Sequence, residues 1–285
     1  MSTTHTDGRA PGYHAGRTLP FRTELRRQLG RRRTQLAIGF LALLPVILAI
    51  AFTIGTSSDD SDAGGLIELG TRGGVNFTVF ALFMSVGFLL IVVVALFFGD
   101  SVASEASWSS LRYLLAIPVP RTRLLMQKAL VSATLSLVAI VVLVVVSLTV
   151  GTALYGAEPL VTPFGDGLSY ADALGRLVIA VAYIAVNLLW VAGLAMLLSV
   201  LTDAPLGAVG GAVMTSILTQ ILDQITALGS LRNYLPGHYF SAWTDTLSPT
   251  IEWNDMVVGS FSALAYAALF GVAAWQRFSS KDITS

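Results

Sequence analysis

Residues 99–128 read GDSVASEASWSSLRYLLAIPVPRTRLLMQK, a charged island between two long apolar runs. Nothing from Ser101 to Ile117 breaks a helix, and Asp100 stands where an N-cap belongs. Pro118 and Pro120 force a stop, because proline cannot continue the hydrogen-bond ladder. Leu111, Leu114 and Leu115 recur at helical spacing, whereas Ser101, Ser104, Glu105 and Arg112 are polar. A helix with one apolar and one wet side, flanked by runs of membrane length, is expected to lie across the membrane surface.

The flanking runs set the fold. Uncharged stretches occupy residues 36–55, 75–99, 129–157, 177–202, 204–222 and 256–276, and the shortest holds 19 residues. About 30 Å of hydrocarbon is crossed at ~1.5 Å per helical residue, so each is long enough to span. The chain of 285 residues is 54% hydrophobic and 12% charged, with a mean hydropathy of +0.74. Soluble domains carry about a quarter charged residues. The expectation is an all-α polytopic membrane protein with six transmembrane helices. Only Asp203 separates the fourth and fifth runs, but Thr202-Asp203-Ala204-Pro205 is turn chemistry with proline at a helix start, which predicts a tight hairpin. Residues 1–18, rich in Gly, Thr, His and Arg, predict a disordered cytoplasmic tail, and residues 19–285 a single six-span domain. Between Leu19 and Arg33, Phe21, Leu25 and Leu29 repeat every four residues among six arginines. That spacing favours an amphipathic interfacial helix over a bare topogenic arginine cluster.

Orientation follows from charge. Of the 17 Lys and Arg residues, all but Arg72, Arg176 and Arg232 fall in the N-terminal segment, the 99–128 island or the C-terminal tail. This asymmetry predicts that both termini and the island are cytoplasmic. The opposite loops carry acid, including Glu68, Glu158, Asp172, Asp245, Glu252 and Asp255. The segment from Leu228 to Asp255 holds Leu231, Tyr234, Tyr239, Phe240 and Trp243, too apolar for a solvated loop. Short helices dipping into the outer leaflet and an aromatic interfacial loop both fit it.

No catalytic constellation stands out. With no cysteine there is no disulfide, thiolate metal site or cysteine nucleophile. A phosphate-cradling GxxxxGK[ST] loop needs lysine after glycine, and the two lysines follow Gln127 and Ser280. No enzyme activity is expected, and no metal or cofactor on this chain. Nucleic acid is not an expected partner; the lipid bilayer is. Acid pairs and His–acid pairs are absent from inside the runs, which argues against a cation-coupled transporter. Asp223 ends the fifth run, ~27 Å above Pro205, and reads first as a headgroup anchor and second as a functional acid. Ser216, Thr219 and Gln220 share its face, a polar stripe that should meet protein or water. Tyr183, Asn187 and Trp190 share a face in the fourth run and read as packing, while Phe77, Phe80, Phe83 and Phe88 offer an apolar wall in the second.

The arrangement resembles the permease subunits of type-2 ABC transporters. The likeness rests on a basic amphipathic segment, six spans with both ends inside, and Glu105-x-x-x-x-Ser110-Leu111-x-x-Leu114-Leu115-x-x-Pro118-x-x-Arg121, followed by Lys128. It departs from the usual pattern at Ser109-Ser110, where relatives have Gly-Thr, and at Ser107, where many have a second acid. The resemblance implies that residues 101–117 form a cytoplasmic coupling helix seated on a separate ATPase dimer, which would hold ATP and Mg. Ser104, Glu105, Leu111, Arg112, Leu114 and Arg121 would make that contact. It further implies two permease chains, identical or homologous, in the bacterial cytoplasmic membrane. Their second and fifth spans would line a path through Phe80, Phe83, Phe88, Ser216, Thr219 and Asp223, and short re-entrant helices would join spans five and six. The reading from another class is an integral membrane scaffold or sensor that binds a cytoplasmic partner and transports nothing.

Overall fold

A computed structural model describes residues 20–55, 64–107, 120–162 and 167–280. The expected tail at 1–18 and island residues 108–119 lie outside the described residues. In chain order the helices are α1 (Phe21–Leu29), α2 (Arg32–Gly55), α3 (Gly64–Gly70), α4 (Gly74–Val86), α5 (Leu89–Ser107) and α6 (Arg121–Tyr155). A small hairpin follows, in which β1 (Leu160–Val161) pairs antiparallel with β2 (Gly167–Leu168). Then come α7 (Tyr170–Asn187), α8 (Leu189–Leu201), α9 (Pro205–Asp223), two 3-10 segments (Thr226–Tyr234 and His238–Leu247) and α10 (Trp253–Ser280).

Among the described residues, six helical stretches are long and apolar enough to cross a membrane: Arg32–Ile54, Leu89–Ser107, Arg121–Tyr155, Tyr170–Leu201, Pro205–Asp223 and Trp253–Ser280. The chain is an all-α polytopic membrane protein. The turn before α9 is as the sequence predicts: Pro205 opens the helix and the Ala204 amide donates to Thr202 Oγ1 at 3.1 Å.

The second crossing departs from expectation. The apolar run at 75–99 breaks at Gly87-Phe88 into α4 and α5, and Gln220 of α9 donates to the Gly87 carbonyl at 3.1 Å there. A backbone break at membrane depth persists where protein groups satisfy it. Helix α5 then runs on through Asp100 to Ser107. Asp100 is therefore an interior residue and caps nothing, and Ser101–Glu105 are buried within the bundle, not laid across a surface. The charged residues continue the helix because neighbouring side chains, described below, take the place of water.

The bundle has two distinct ends. At one, α1 and the start of α2 meet the end of α5, the start of α6 and the end of α10; Trp275 of α10 donates to Thr122 of α6 at 3.1 Å. At the other, α4 and α6 touch backbone to backbone, since a Cβ added to Gly151 would fall 2.9 Å from the Gly74 carbonyl oxygen. Asn76 pins the hairpin there like an extra peptide group. Its amide nitrogen donates to the Val161 carbonyl at 2.8 Å, and its oxygen accepts from the Val161 amide at 3.1 Å.

The segment between α9 and α10 is two short helices, not a plain loop. They cap this end of the bundle: Trp243 is buried and meets Phe83 edge to face at 5.3 Å, and Tyr183 donates to the Tyr239 carbonyl at 2.5 Å. Arg176 of α7 donates to the carbonyls of Thr246, Ser248 and Pro249, fixing where the segment returns to α10. Tyr183, Asn187 and Trp190 are core residues, as their spacing predicts.

Candidate functional site

Helix α1 turns Phe21 and Leu29 outward and packs Leu25 on the core. Phe21 and Leu29 are 38% and 40% exposed, whereas Glu24 and Gln28 are buried against the bundle. A buried carboxylate is tolerated only with partners. Arg27 Nη2 supplies one, lying 2.8 Å from Glu24 Oε1 and 2.6 Å from Glu105 Oε1. Gln28 also donates to Glu24 at 3.0 Å. Burial alone would raise the Glu24 carboxyl, but the Arg27 hydrogen bond and the nearby Lys128 charge prevail and hold it below the usual range.

The same cluster closes the base of the island. Lys128 Nζ, buried two turns into α6, lies 2.5 Å from Glu105 Oε2 and donates to the Ser101 carbonyl at 3.0 Å. Asp100 is held from both sides, by Arg31 Nη1 at 3.2 Å and Arg33 Nη1 at 2.6 Å. Ser199 of α8 accepts from the amides of Val102 and Ala103 at 3.1 and 3.0 Å. Between these groups lies a cavity of about 450 Å³ lined by Arg27, Arg31, Arg32, Arg33, Asp100, Ser104 and Glu105. Among the described residues no group of three or more His, Cys, Asp and Glu side chains is placed to hold a metal. The arrangement orders charge and locks helix ends.

Several predicted residues fall elsewhere than expected. Ser104 and Glu105 belong to this intrachain cluster. Glu105 is 3% exposed and engaged by Arg27 and Lys128, so it does not face outward toward a partner. Arg121 reaches across to the end of α10 and donates to the Ser279 carbonyl at 2.9 Å. Leu111, Arg112 and Leu114 lie outside the described residues.

The path residues do not form one surface. Phe80 and Phe83 line an apolar cavity of about 180 Å³ near the hairpin, with Val79, Met84 and Leu160, whereas Phe88, at the α4–α5 break, lies outside its lining. Ser216 and Thr219 are buried, their hydroxyls donating to the carbonyls of Ala212 and Ser216. A Cβ on Gly237 would approach Thr219 Oγ1 to 2.9 Å, so the chain's own connector covers the polar stripe and no second chain is needed for that.

Asp223, read first as a headgroup anchor, has a partner: its Oδ1 meets His238 Nδ1 at 2.5 Å, and its backbone carbonyl accepts from Arg232 at 3.0 Å. The sequence carried the hints separately. His238 is the one histidine outside the N-terminal tail, and Lys128 is the one charge two turns beyond Pro120 at the head of a long apolar run.

No match is found among curated proteins. The sequence model of the family described as Protein of unknown function (DUF2705) matches residues 39–284, most of the chain, and the protein belongs to that family.

Proposed function

We propose that the chain is a non-catalytic permease subunit of a type-2 ABC exporter, working as a dimer coupled to separate ATPase subunits. Its place would be the bacterial cytoplasmic membrane, with both termini and residues 108–119 on the cytoplasmic side. Six candidate spans, an amphipathic α1 ahead of the first and two short helices between the fifth and sixth are the architecture such a subunit requires.

One observation carries the reading. Glu105 and Lys128, the acid and the later lysine that bracket the loop pattern, form a buried ion pair at 2.5 Å. The helices on either side of residues 108–119, α5 and α6, are thereby tied to each other and, through Arg27, to α1. A partner pressing on that segment would move α5 and α6 together, because a desolvated charge pair resists separation strongly. This is the mechanical link an ATP-driven subunit needs. ATP binding and hydrolysis stay with the partner, and this chain supplies the lever and the walls.

A photo-crosslinking amino acid placed at Leu111 or Leu114 in intact cells tests the contact. The expected adduct contains a P-loop ATPase, identified by mass spectrometry, and depends on that position within the island. Adducts formed only with lipid, at both positions, would sink the proposal.

A further inference from the structure

The cavity between α1, α2 and α5 has a charge imbalance that its carboxylates do not cancel. Around it, among the described residues, Arg27, Arg31, Arg32, Arg33 and Lys128 face only Glu24, Asp100 and Glu105. Arg27, Arg31, Arg33 and Lys128 each hold a carboxylate, whereas Arg32 has no ion pair among the described residues. A partly enclosed site with surplus guanidinium groups binds an anion, and guanidinium geometry suits phosphate oxygens.

The neighbouring surface says what carries that anion. Going down α2 from Arg32, the exposed residues include Leu36, Phe40, Leu43, Ile47, Ile50 and Ile54. Steps of three or four place them in one stripe along the helix, with Arg32 at its head. Phe21 and Leu29 of α1 are exposed as well. The helix rises ~27 Å from Leu36 to Ile54, so the stripe is longer than one acyl leaflet. A cationic pocket at the top of an apolar rail matches a molecule with an anionic phosphate head and hydrocarbon tails.

We infer that this cavity is a binding site for the headgroup of a net-anionic phospholipid, with Arg32 as its free cation and the α2 stripe holding the tails. The inference is independent of the transport reading, since it concerns a lipid that holds the N-terminal helix pair against the bundle whether or not an ATPase binds. Zwitterionic phospholipid carries the same phosphate beside a choline cation, which would meet the arginines unfavourably. Free phosphate has the head and lacks the tails.

The test is a titration of the purified full chain in detergent with short-chain phosphatidylglycerol, short-chain phosphatidylcholine and inorganic phosphate, read as the shift in thermal unfolding midpoint. Phosphatidylglycerol is expected to raise the midpoint saturably, and the other two to leave it near its starting value. Arg32→Gln should weaken the apparent affinity at least about tenfold, and Arg32→Lys, which keeps the charge, should weaken it less. Arg22→Gln, an exposed α1 arginine outside the cavity, is the control and should bind as the unaltered chain does. Because Arg32 has no ion pair among the described residues and stands beside like charges, Arg32→Gln should not lower the unfolding midpoint without lipid. Equal response to phosphatidylcholine and phosphatidylglycerol, an equal response to phosphate alone, or unchanged affinity in Arg32→Gln would each overturn the inference.

Discussion

The two ends of the bundle anchor most of their arginines in different ways, apart from Arg121, which holds the Ser279 carbonyl at the α1 end, and Arg72, which holds Glu68 at the hairpin end. At the α1 end, Arg27, Arg31 and Arg33 bind carboxylates, and Lys128 completes the cluster. At the hairpin end, Arg176 binds three backbone carbonyls and Arg232 one. A guanidinium on carbonyls is a staple that does not titrate near neutral pH. A network of paired charges responds to salt, pH and the loss of any one member. The hairpin end is therefore built as a fixed cap, and the α1 end as the part whose arrangement responds to its ionic surroundings.

The largest effect should come from unpairing the deepest charge. Lys128→Met leaves Glu105 in a buried site with half its compensation, and removing one partner of such a pair costs about 3–5 kcal/mol. The double variant Glu105→Gln/Lys128→Met should recover much of that stability. Thermal unfolding in mild detergent reads both, and a double variant no better than the single would show that the pair does not act as a unit. At the opposite end Asn76→Ala removes two hydrogen bonds to Val161 and should cost less, about 1–3 kcal/mol, with exchange protection lost first in the hairpin. If Asn76→Ala destabilised as much as Lys128→Met, the contrast between the ends would fail.

Smaller effects separate the ends by sign. The Glu24 carboxyl is lowered in the fold, so its contribution is present above its ordinary value of 4.5 and is lost as pH falls below that value. The Asp245 carboxyl is raised, first by burial and then by the charges of Asp255 and Glu252. Ionising it opposes folding, so acid relieves the 3-10 segment as pH falls from neutrality toward 3.8. Hydrogen exchange, corrected for intrinsic rates, should show α1 loosening and His238–Leu247 tightening toward about pH 4. Added salt should loosen α1 and leave the Arg176 staple unchanged, because Arg27 and Arg33 are about half exposed and their pairs are screened.

Much of the fold was legible because hydrocarbon imposes a simple rule on sequence. Runs of nineteen or more uncharged residues marked the spans, and proline chemistry at Pro205 marked the turn before α9. The break at Gly87-Phe88 was not, since an apolar run carries no sign of a kink whose carbonyl is met by Gln220, 133 residues away. The candidate site was legible only in composition. Asp100 and Glu105 looked like a cap and an outward contact because local spacing cannot show that arginines from residues 27–33 and a lysine from α6 fold back onto them. In the same way the Ser216–Thr219 stripe was readable as a face, but the connector that covers it lies beyond the helix that carries it.

The central claim, that this chain is the membrane half of an ATP-driven pair, is tested most directly by purifying the tagged protein from its own membranes in mild detergent and weighing the intact complex. The account predicts two permease chains with two copies of a P-loop ATPase, and ATP hydrolysis that co-elutes with them. A monomeric chain eluting without any nucleotide-hydrolysing partner would contradict it.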